Sequence, residues 1–387
     1  MKKILITGAN SYIGVSFEDW MKQHNDECSI DTIDMQSEKW KGHDFSNYDA
    51  VFHVAGIAHV SADPKLEDLY YKVNRDLTIE VAKKAKNEGV RQFVFMSSII
   101  VYGDSSHINK KRVINKDTVP TPSNFYGNSK LQAEEGILPL SDDKFKVAVL
   151  RPPMIYGKGS KGNYPKLAKM ARKLPIFPYI DNERSMLHID NLCEFIRLII
   201  KNEESGVFYP QNKEYVKTSD LVKEIAKVHG KNIKTTKIFN PVLRFMGNWI
   251  VVVNKAFGNL VYEKSMSEYI ENYIVTDFKS SIKSVEDEKI DILLLSDNNL
   301  LTVGGEQEST KIIIKGVEKK YKLGVIQPGE IEVRNTTTKY YFLTNYTRIK
   351  HLIKNPFAFI RYILLVRRVI IRTKPQIIHT QAQVSFF

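Results

Sequence analysis

Tyr126-Gly127-Asn128-Ser129-Lys130 places a phenol and an ammonium four residues apart. On a helix that spacing puts both on one face, about one turn from each other. A lone phenol, with a reference pKa of about 10, is a poor base at neutral pH. A neighbouring ammonium favours the phenolate and lowers that pKa. Ser97-Ser98 closes the apolar run Phe93-Val94-Phe95-Met96, where a hydroxyl can hold the substrate oxygen whose proton is removed. The set suits reversible oxidation of an alcohol, provided a hydride acceptor lies beside it.

The N-terminus carries a site for such an acceptor. Lys3-Ile4-Leu5-Ile6 reads as a buried parallel strand, followed by Thr7-Gly8-Ala9-Asn10-Ser11-Tyr12-Ile13-Gly14 and a helix beginning near Val15. Glycines at a strand-to-helix turn let the backbone approach a pyrophosphate, and the helix N-terminus offers amides and a positive dipole end. A second run, Ser29 to Ile33, ends at Asp34, an acidic residue about 20 positions after the glycines. Such a carboxylate binds a ribose 2′-OH and repels a 2′-phosphate, which favours NAD over NADP. Asp31 is the fallback, but it falls inside the strand. Each signal alone is weak; their order along the chain carries the reading.

In that order the chain resembles the extended short-chain dehydrogenases/reductases, and among them the nucleotide-sugar epimerases and dehydratases, over residues 1–287. Gly8, Asn10, Ser11, Tyr12, Ile13 and Gly14 match the family's Thr-Gly-x-x-Gly-x-x-Gly turn, with Ser11 in place of the middle glycine. Serine disfavours positive φ, so an altered turn is expected there. The resemblance implies that Asp44 and Phe45 contact adenine, that Ala55 and Gly56 lie under the cofactor, and that Asn74 is the structural asparagine. It places Ser97 beside the cofactor and Ser98 in the catalytic position, with Tyr126 and Lys130 serving both cofactor and catalysis. Arg151-Pro152-Pro153-Met154 resembles the crossing to the substrate domain, with Met154 where many epimerases have asparagine. Arg184 resembles the arginine that binds the substrate's phosphates. The implied activity is an NAD-dependent 4-epimerase acting on a UDP-sugar or other nucleotide-sugar through a transient 4-keto sugar. A dehydratase would carry an Asp-Glu pair where Ile99-Ile100 stand. A 4-keto reductase uses the same Ser, Tyr and Lys and is the alternative. A fusion product that binds dinucleotide without catalysis is the second alternative. Extended members pair through cofactor-domain helices, so a homodimer is implied.

Composition frames this reading. The 387 residues are 43% hydrophobic and 26% charged, ordinary for soluble globular protein and too long for one average domain. Cys28 and Cys193 offer no disulfide framework or metal spacing, and free thiols in a reducing cytoplasm are expected. No metal is expected, since His53, His59, His107, His188, His229 and His379 show no ligand spacing with cysteines or carboxylates. The run after Met1-Lys2-Lys3 breaks at Thr7-Gly8, too short for a signal peptide. The net charge of +13 reads as basic residues dispersed among acids, without a nucleic-acid motif.

Strand and helix patterns alternate from Lys2 to about Leu150, predicting an α/β fold: a Rossmann doubly wound parallel sheet over about 1–155. Residues of about 156–287 should form a small substrate-binding lobe, with capped helices from Asp190 and Ser219. Phe245 to Leu260, including Trp249, reads as a core or dimer-face helix. After the charged joint at Glu286-Asp287-Glu288, the strand Ile290 to Ser296, the loop with Gly304-Gly305-Glu306, a helix over Gln307 to Lys319 and a strand at Leu323 to Ile326 form a second Rossmann-like start. Residues 289–387 thus predict a partial second domain. It resembles the opening of a GT-B glycosyltransferase, with Arg372 to Thr380 similar to its later strand. The half that would carry the donor site is not in the sequence, so no transferase activity is expected from this polypeptide alone. The basic, apolar stretch Phe357 to Arg372 reads as a core-packing helix, and membrane contact is not expected.

Overall fold

The computed structural model describes every residue except 25–26, 59–62, 106–109, 248–253, 255–256, 288, 330–337, 347 and 382–387. His59, His107 and the Trp249 part of the expected helix fall outside the described residues. The chain forms two compact units, Met1–Val285 and Glu286–Phe387.

Unit 1 is built on six parallel strands: β1 (Lys2–Thr7), β2 (Cys28–Ile33), β3 (Ala50–His53), β4 (Gln92–Met96), β5 (Lys146–Leu150) and β6 (Gly206–Phe208). Their order in the sheet is β6-β5-β4-β3-β1-β2. β1 pairs with β2 on one side and β3 on the other. The chain therefore reverses direction across the sheet at β1, and the crevice at the strands' carboxyl ends is where such sheets bind ligands. Alternation along β1 explains the layers. Ile4 and Ile6 join Phe17 of helix α1 (Tyr12–Met21) and Leu192, Phe195 and Ile196 of helix α4 (Ile189–Lys201). Leu5 faces the opposite layer, with Val81 and Ala85 of α2 (Leu77–Asn87) and Ala133 and Ile137 of α3 (Phe125–Ile137). Helices thus cover both faces, as predicted for a doubly wound sheet.

A smaller cluster lies apart from the sheet. Tyr156, Tyr164, Leu167, Phe177, Leu221 and Ile225 pack between the helices Asn163–Lys173 and Thr218–Val228 and two short strand pairs. The expected caps differ in detail. The helix at Ile189 is capped by His188, whose ring accepts from the Asp190 amide, and the one at Thr218 follows Lys217 without a side-chain cap. The two cysteines are free and buried.

Unit 2 holds four parallel strands, β7 (Ile292–Ser296), β8 (Leu323–Gln327), β9 (Lys339–Phe342) and β10 (Ile377–Gln381), in the order β9-β8-β7-β10. Helix α5 (Gly305–Val317) buries Ile314 against Leu294, Leu323 and Val325. Helix α6 (Pro356–Thr373) buries Tyr362 and Val369 against Leu293 and Ile326. It begins with an Asn355 cap and Pro356 and ends at Lys374, whose φ of 42° is left-handed, just before Pro375.

Candidate active site

The turn after β1 is shaped for close approach. Gly8 has φ +111°, and a Cβ there would lie 2.7 Å from the Ala55 nitrogen. Ser11 does not need positive φ. It sits at φ −69° and caps α1, accepting from the Gly14 amide at 3.2 Å, while Asn10 takes the left-handed position at φ 63°. Asparagine tolerates that conformation better than most residues. A Cβ on Gly14 would meet the Ser11 Oγ at 2.7 Å, so cap and glycine are a matched pair. The first-turn amides of Tyr12 and Ile13 are out of reach of the helix's own carbonyls.

Asp34 follows the end of β2, exposed, and accepts from the Gln36 amide at 3.0 Å. Asp31 lies within the strand and accepts from the Tyr48 hydroxyl at 2.9 Å. Asp44 is exposed and caps its own turn through the Ser46 amide. The Phe45 side chain is fully buried in the core, and its amide donates to Glu88. Beneath the turn, Thr7 meets His53 Nδ1 at 2.7 Å, and His53 Nε2 meets Thr78 at 3.1 Å. Thr78 donates its proton to the Asn74 carbonyl, so it accepts from Nε2–H and the ring accepts from Thr7. Burial, then Lys130, pushes the His53 pKa down to about 3, which keeps it neutral.

Asn74 lies in a π-helical turn, Tyr71–Asp76, and holds the segment after β3. Its Oδ1 accepts from the Ile57 amide at 2.8 Å, and its Nδ2 donates to the Ile57 carbonyl and to Ser129. A Cβ on Gly56 would stand 3.1 Å from Asn74 and 3.2 Å from the Lys130 ammonium. Gly56 itself is exposed, and the space a side chain would need there is taken by Asn74 and Lys130. A glycine turn that a Cβ would fill, a helix N-terminus and an exposed carboxylate at the next strand end fit a dinucleotide.

Ser98, Tyr126 and Lys130 come together at the end of β4. The Ser98 hydroxyl, which accepts from the Ile100 amide, lies near enough to Tyr126 to act on its pKa. Lys130 is 6% exposed and donates to the Met96 carbonyl at 2.8 Å. Burial lowers its pKa to about 8, offset by Glu134 one turn on. Burial also raises the Tyr126 pKa to about 12, with the Ser98 hydroxyl opposing and Tyr70 adding. Desolvation therefore dominates this phenol, and the expected lowering by Lys130 is not among the influences on it.

Sequence reasoning missed what sets this spacing. Gly127 is the clearest case: a Cβ there would strike the Ile100 carbonyl at 2.7 Å and Pro122 at 3.0 Å. Asn124 caps the same helix start through the Gly127 amide at 2.9 Å. Ser97 turns inward and donates to Glu134, which also takes the Arg151 guanidinium. Arg151 in turn donates to the Tyr102 hydroxyl at 2.7 Å. Glu134 and Arg151 are 1% and 7% exposed, so removing either leaves a buried charge, a cost of about 3–5 kcal/mol. A glycine between the reactive pair was the available signal; the ion pair, 17 residues apart on different elements, left none.

Met154 and Arg184 line one small cavity of the lobe, with Asn163, Leu167, Val216 and Thr218. Arg184 exchanges two backbone hydrogen bonds with Val216, and burial holds its pKa down to about 10, still protonated at neutral pH. Asn163 and Thr218 were not singled out from sequence.

Residues 4–209 match the NAD dependent epimerase/dehydratase family. A UDP-glucose 4-epimerase of Vibrio cholerae is 29% identical over 58% of this chain and 75% of its own length. An N-acetyl-alpha-D-glucosaminyl-diphospho-ditrans,octacis-undecaprenol 4-epimerase of Escherichia coli O157:H7 is 28% identical over 49% of this chain and 58% of its own. Among solved structures, a UDP-glucuronic acid 4-epimerase from Bacillus cereus in complex with NAD has TM-score 0.55 at 17% identity, covering 73% of this chain and 94% of that one. A dTDP-4-dehydrorhamnose reductase from Clostridium acetobutylicum has TM-score 0.56 at 20% identity, covering 73% and 98%. These structures share the fold. With over half its length matched, the chain belongs to the NAD dependent epimerase/dehydratase family, and NAD is its cofactor.

Proposed function

We propose that unit 1 is a nucleotide-sugar 4-epimerase of the UDP-glucose or UDP-N-acetylglucosamine type. The observation that carries it is the gathering of Ser98, Tyr126 and Lys130 at the end of β4, with Lys130 hydrogen-bonded to the Met96 carbonyl and Ile99-Ile100 where an eliminating enzyme needs an acid and a base. The two curated relatives quoted above are 4-epimerases by name, which supports the same class.

Ser98 would hold the sugar's C4 oxygen. Tyr126 would take the C4 hydroxyl proton and later return it. Lys130, charged below pH about 8, would favour the phenolate and hold the nicotinamide ribose. NAD supplies the hydride acceptor and donor when bound. Tyr12, Ile13 and Gly14 would face the pyrophosphate, and Asp34 the adenine-side ribose. Arg184 would anchor the substrate diphosphate in the lobe while the 4-keto sugar turns. Asp34 favours NAD, and so favours an epimerase over the NADPH-using reductase that shares these three groups.

The first test is the NAD content of the purified protein, then incubation with UDP-glucose and UDP-N-acetylglucosamine without added cofactor. Bound NAD with formation of the galacto epimers is expected. NAD(P)H oxidation only on a supplied 4-keto sugar nucleotide would make it a reductase. For unit 2 we propose a fold like the opening of a GT-B glycosyltransferase, resting on its four parallel strands and glycine loop. A homodimer through α2 and α3 is likewise proposed, with sedimentation as its check.

A further inference from the structure

Helix α6 has two faces, and its own unit uses one of them. Tyr362, Val369 and Thr373 are buried, with Phe359 and Val366 packed beside them. The other face runs Phe357, Arg361, Leu364, Arg368, Ile371, flanked by Ile360 and Arg367. Phe357 is 87% exposed, and Ile360, Leu364 and Ile371 are each above half. All three arginines are exposed.

Charge marks this face further. Residues 333–387 contain ten Lys and Arg and no Asp or Glu, while residues 1–332 contain 47 against 44. Ten of the 13 excess charges therefore fall in this last stretch, which includes α6, and are not dispersed among acids as the composition suggested. Lys350, Lys354 and Lys374, at or near the helix ends, are exposed as well.

We propose that α6 lays unit 2 flat on a lipid surface bearing anionic headgroups. The aliphatic strip enters the headgroup–acyl boundary, and the arginines meet lipid phosphates. Among the described residues no helix is long and apolar enough to cross a membrane, so the contact is interfacial. Nucleic acid is the poorer fit, because the strip is aliphatic and offers one ring, Phe357, for stacking. A second copy is poorer too, since α6 on α6 would oppose arginines without a carboxylate to pair them.

The test is flotation of the full-length protein with vesicles of phosphatidylcholine, with and without phosphatidylglycerol. Binding is expected to the mixed vesicles and to fall at high salt. R361Q/R367Q/R368Q should weaken it about a hundredfold, roughly fivefold per arginine. Phe357→Ser with Leu364→Ser should also release the protein, and circular dichroism checks that both variants fold. Equal binding to neutral vesicles, no binding at all, or unchanged binding by either folded variant would overturn the proposal. So would a concentration-dependent dimer that Leu364→Arg dissolves, or retention of an RNA oligomer that the arginine variant loses and the serine variant keeps.

Discussion

The chain makes a parallel strand, a glycine-bearing turn and a helix twice, and the two turns differ in what they enforce. In unit 1, Gly8 is left-handed and pressed against Ala55, and Ser11 locks Gly14 into the first turn of α1. In unit 2, the loop from Asp297 to Gly304 enters α5 in extended backbone, at φ 173°, with no side-chain cap. A Cβ on Gly304 would meet only the end of the Gln307 side chain, and one on Gly305 would meet nothing within 4 Å. Only the first turn combines a left-handed glycine with a wall of backbone that cannot move aside. The spacing of glycines alone does not separate a built cradle from a loop that happens to contain them.

Breaking the chemistry of unit 1 should have the largest effect. Tyr126→Phe should lower turnover about a thousandfold while bound NAD is retained, measured by epimer formation and by NAD content. Turnover surviving in this variant would move the chemistry elsewhere, unit 2 included. Gly8→Ala should cost on the order of 3 kcal/mol in dinucleotide affinity or stability, from strain plus the contact with Ala55. Calorimetric NAD titration and thermal melts check it.

Acid and base should also act on unit 1 selectively. The rate should fall about tenfold per unit above pH 8, as Lys130 loses its proton. Stability should move the other way, rising between pH about 8 and the ordinary lysine value of 10.5, because only the unfolded chain still holds that proton. His53 works at the acid end. Its folded pKa of about 3 lies below the ordinary 6.5, so its stabilisation is complete above pH 6.5 and is lost as pH falls toward 3. The slope is up to about 1.4 kcal/mol per pH unit. Among the described residues no histidine of unit 2 is buried, so unit 1 should melt first on acidification, read by hydrogen exchange resolved by segment. The smallest effect is expected from Gly305→Ala, which should leave NAD binding unchanged and raise stability by at most about 1 kcal/mol.

The strands were legible because each is a short apolar run between breakers; the expected strand Gln92–Met96 is the observed one. The helix over Leu77 was read from its period, and Gly89 at φ +82° ends the segment that follows it. The reactive types were legible from their order along the chain. What was hidden depends on contacts distant in sequence. Ser11 read as a flawed glycine because its neighbour Asn10 could absorb the positive φ only in three dimensions. Ser97 and Ser98 look alike in sequence, yet β4 turns one toward Glu134 and the other toward Tyr126. The charge around α6 was in the composition all along, but it became informative once the helix showed which face was covered.

Gly127 has a consequence for inheritance. With no room for a side chain between α3 and the Ile100 carbonyl, the spacing of Tyr126 and Ser98 is set by main chain on main chain. Side-chain drift elsewhere can scarcely alter it. The cavity around Met154, Arg184, Asn163 and Thr218 has no such restraint, since its walls are side chains on separate elements. Under the proposed function, mutation could therefore retune which sugar is accepted while the proton-transfer geometry is passed on intact, and descendants of this chain would diverge in diet before they diverge in chemistry.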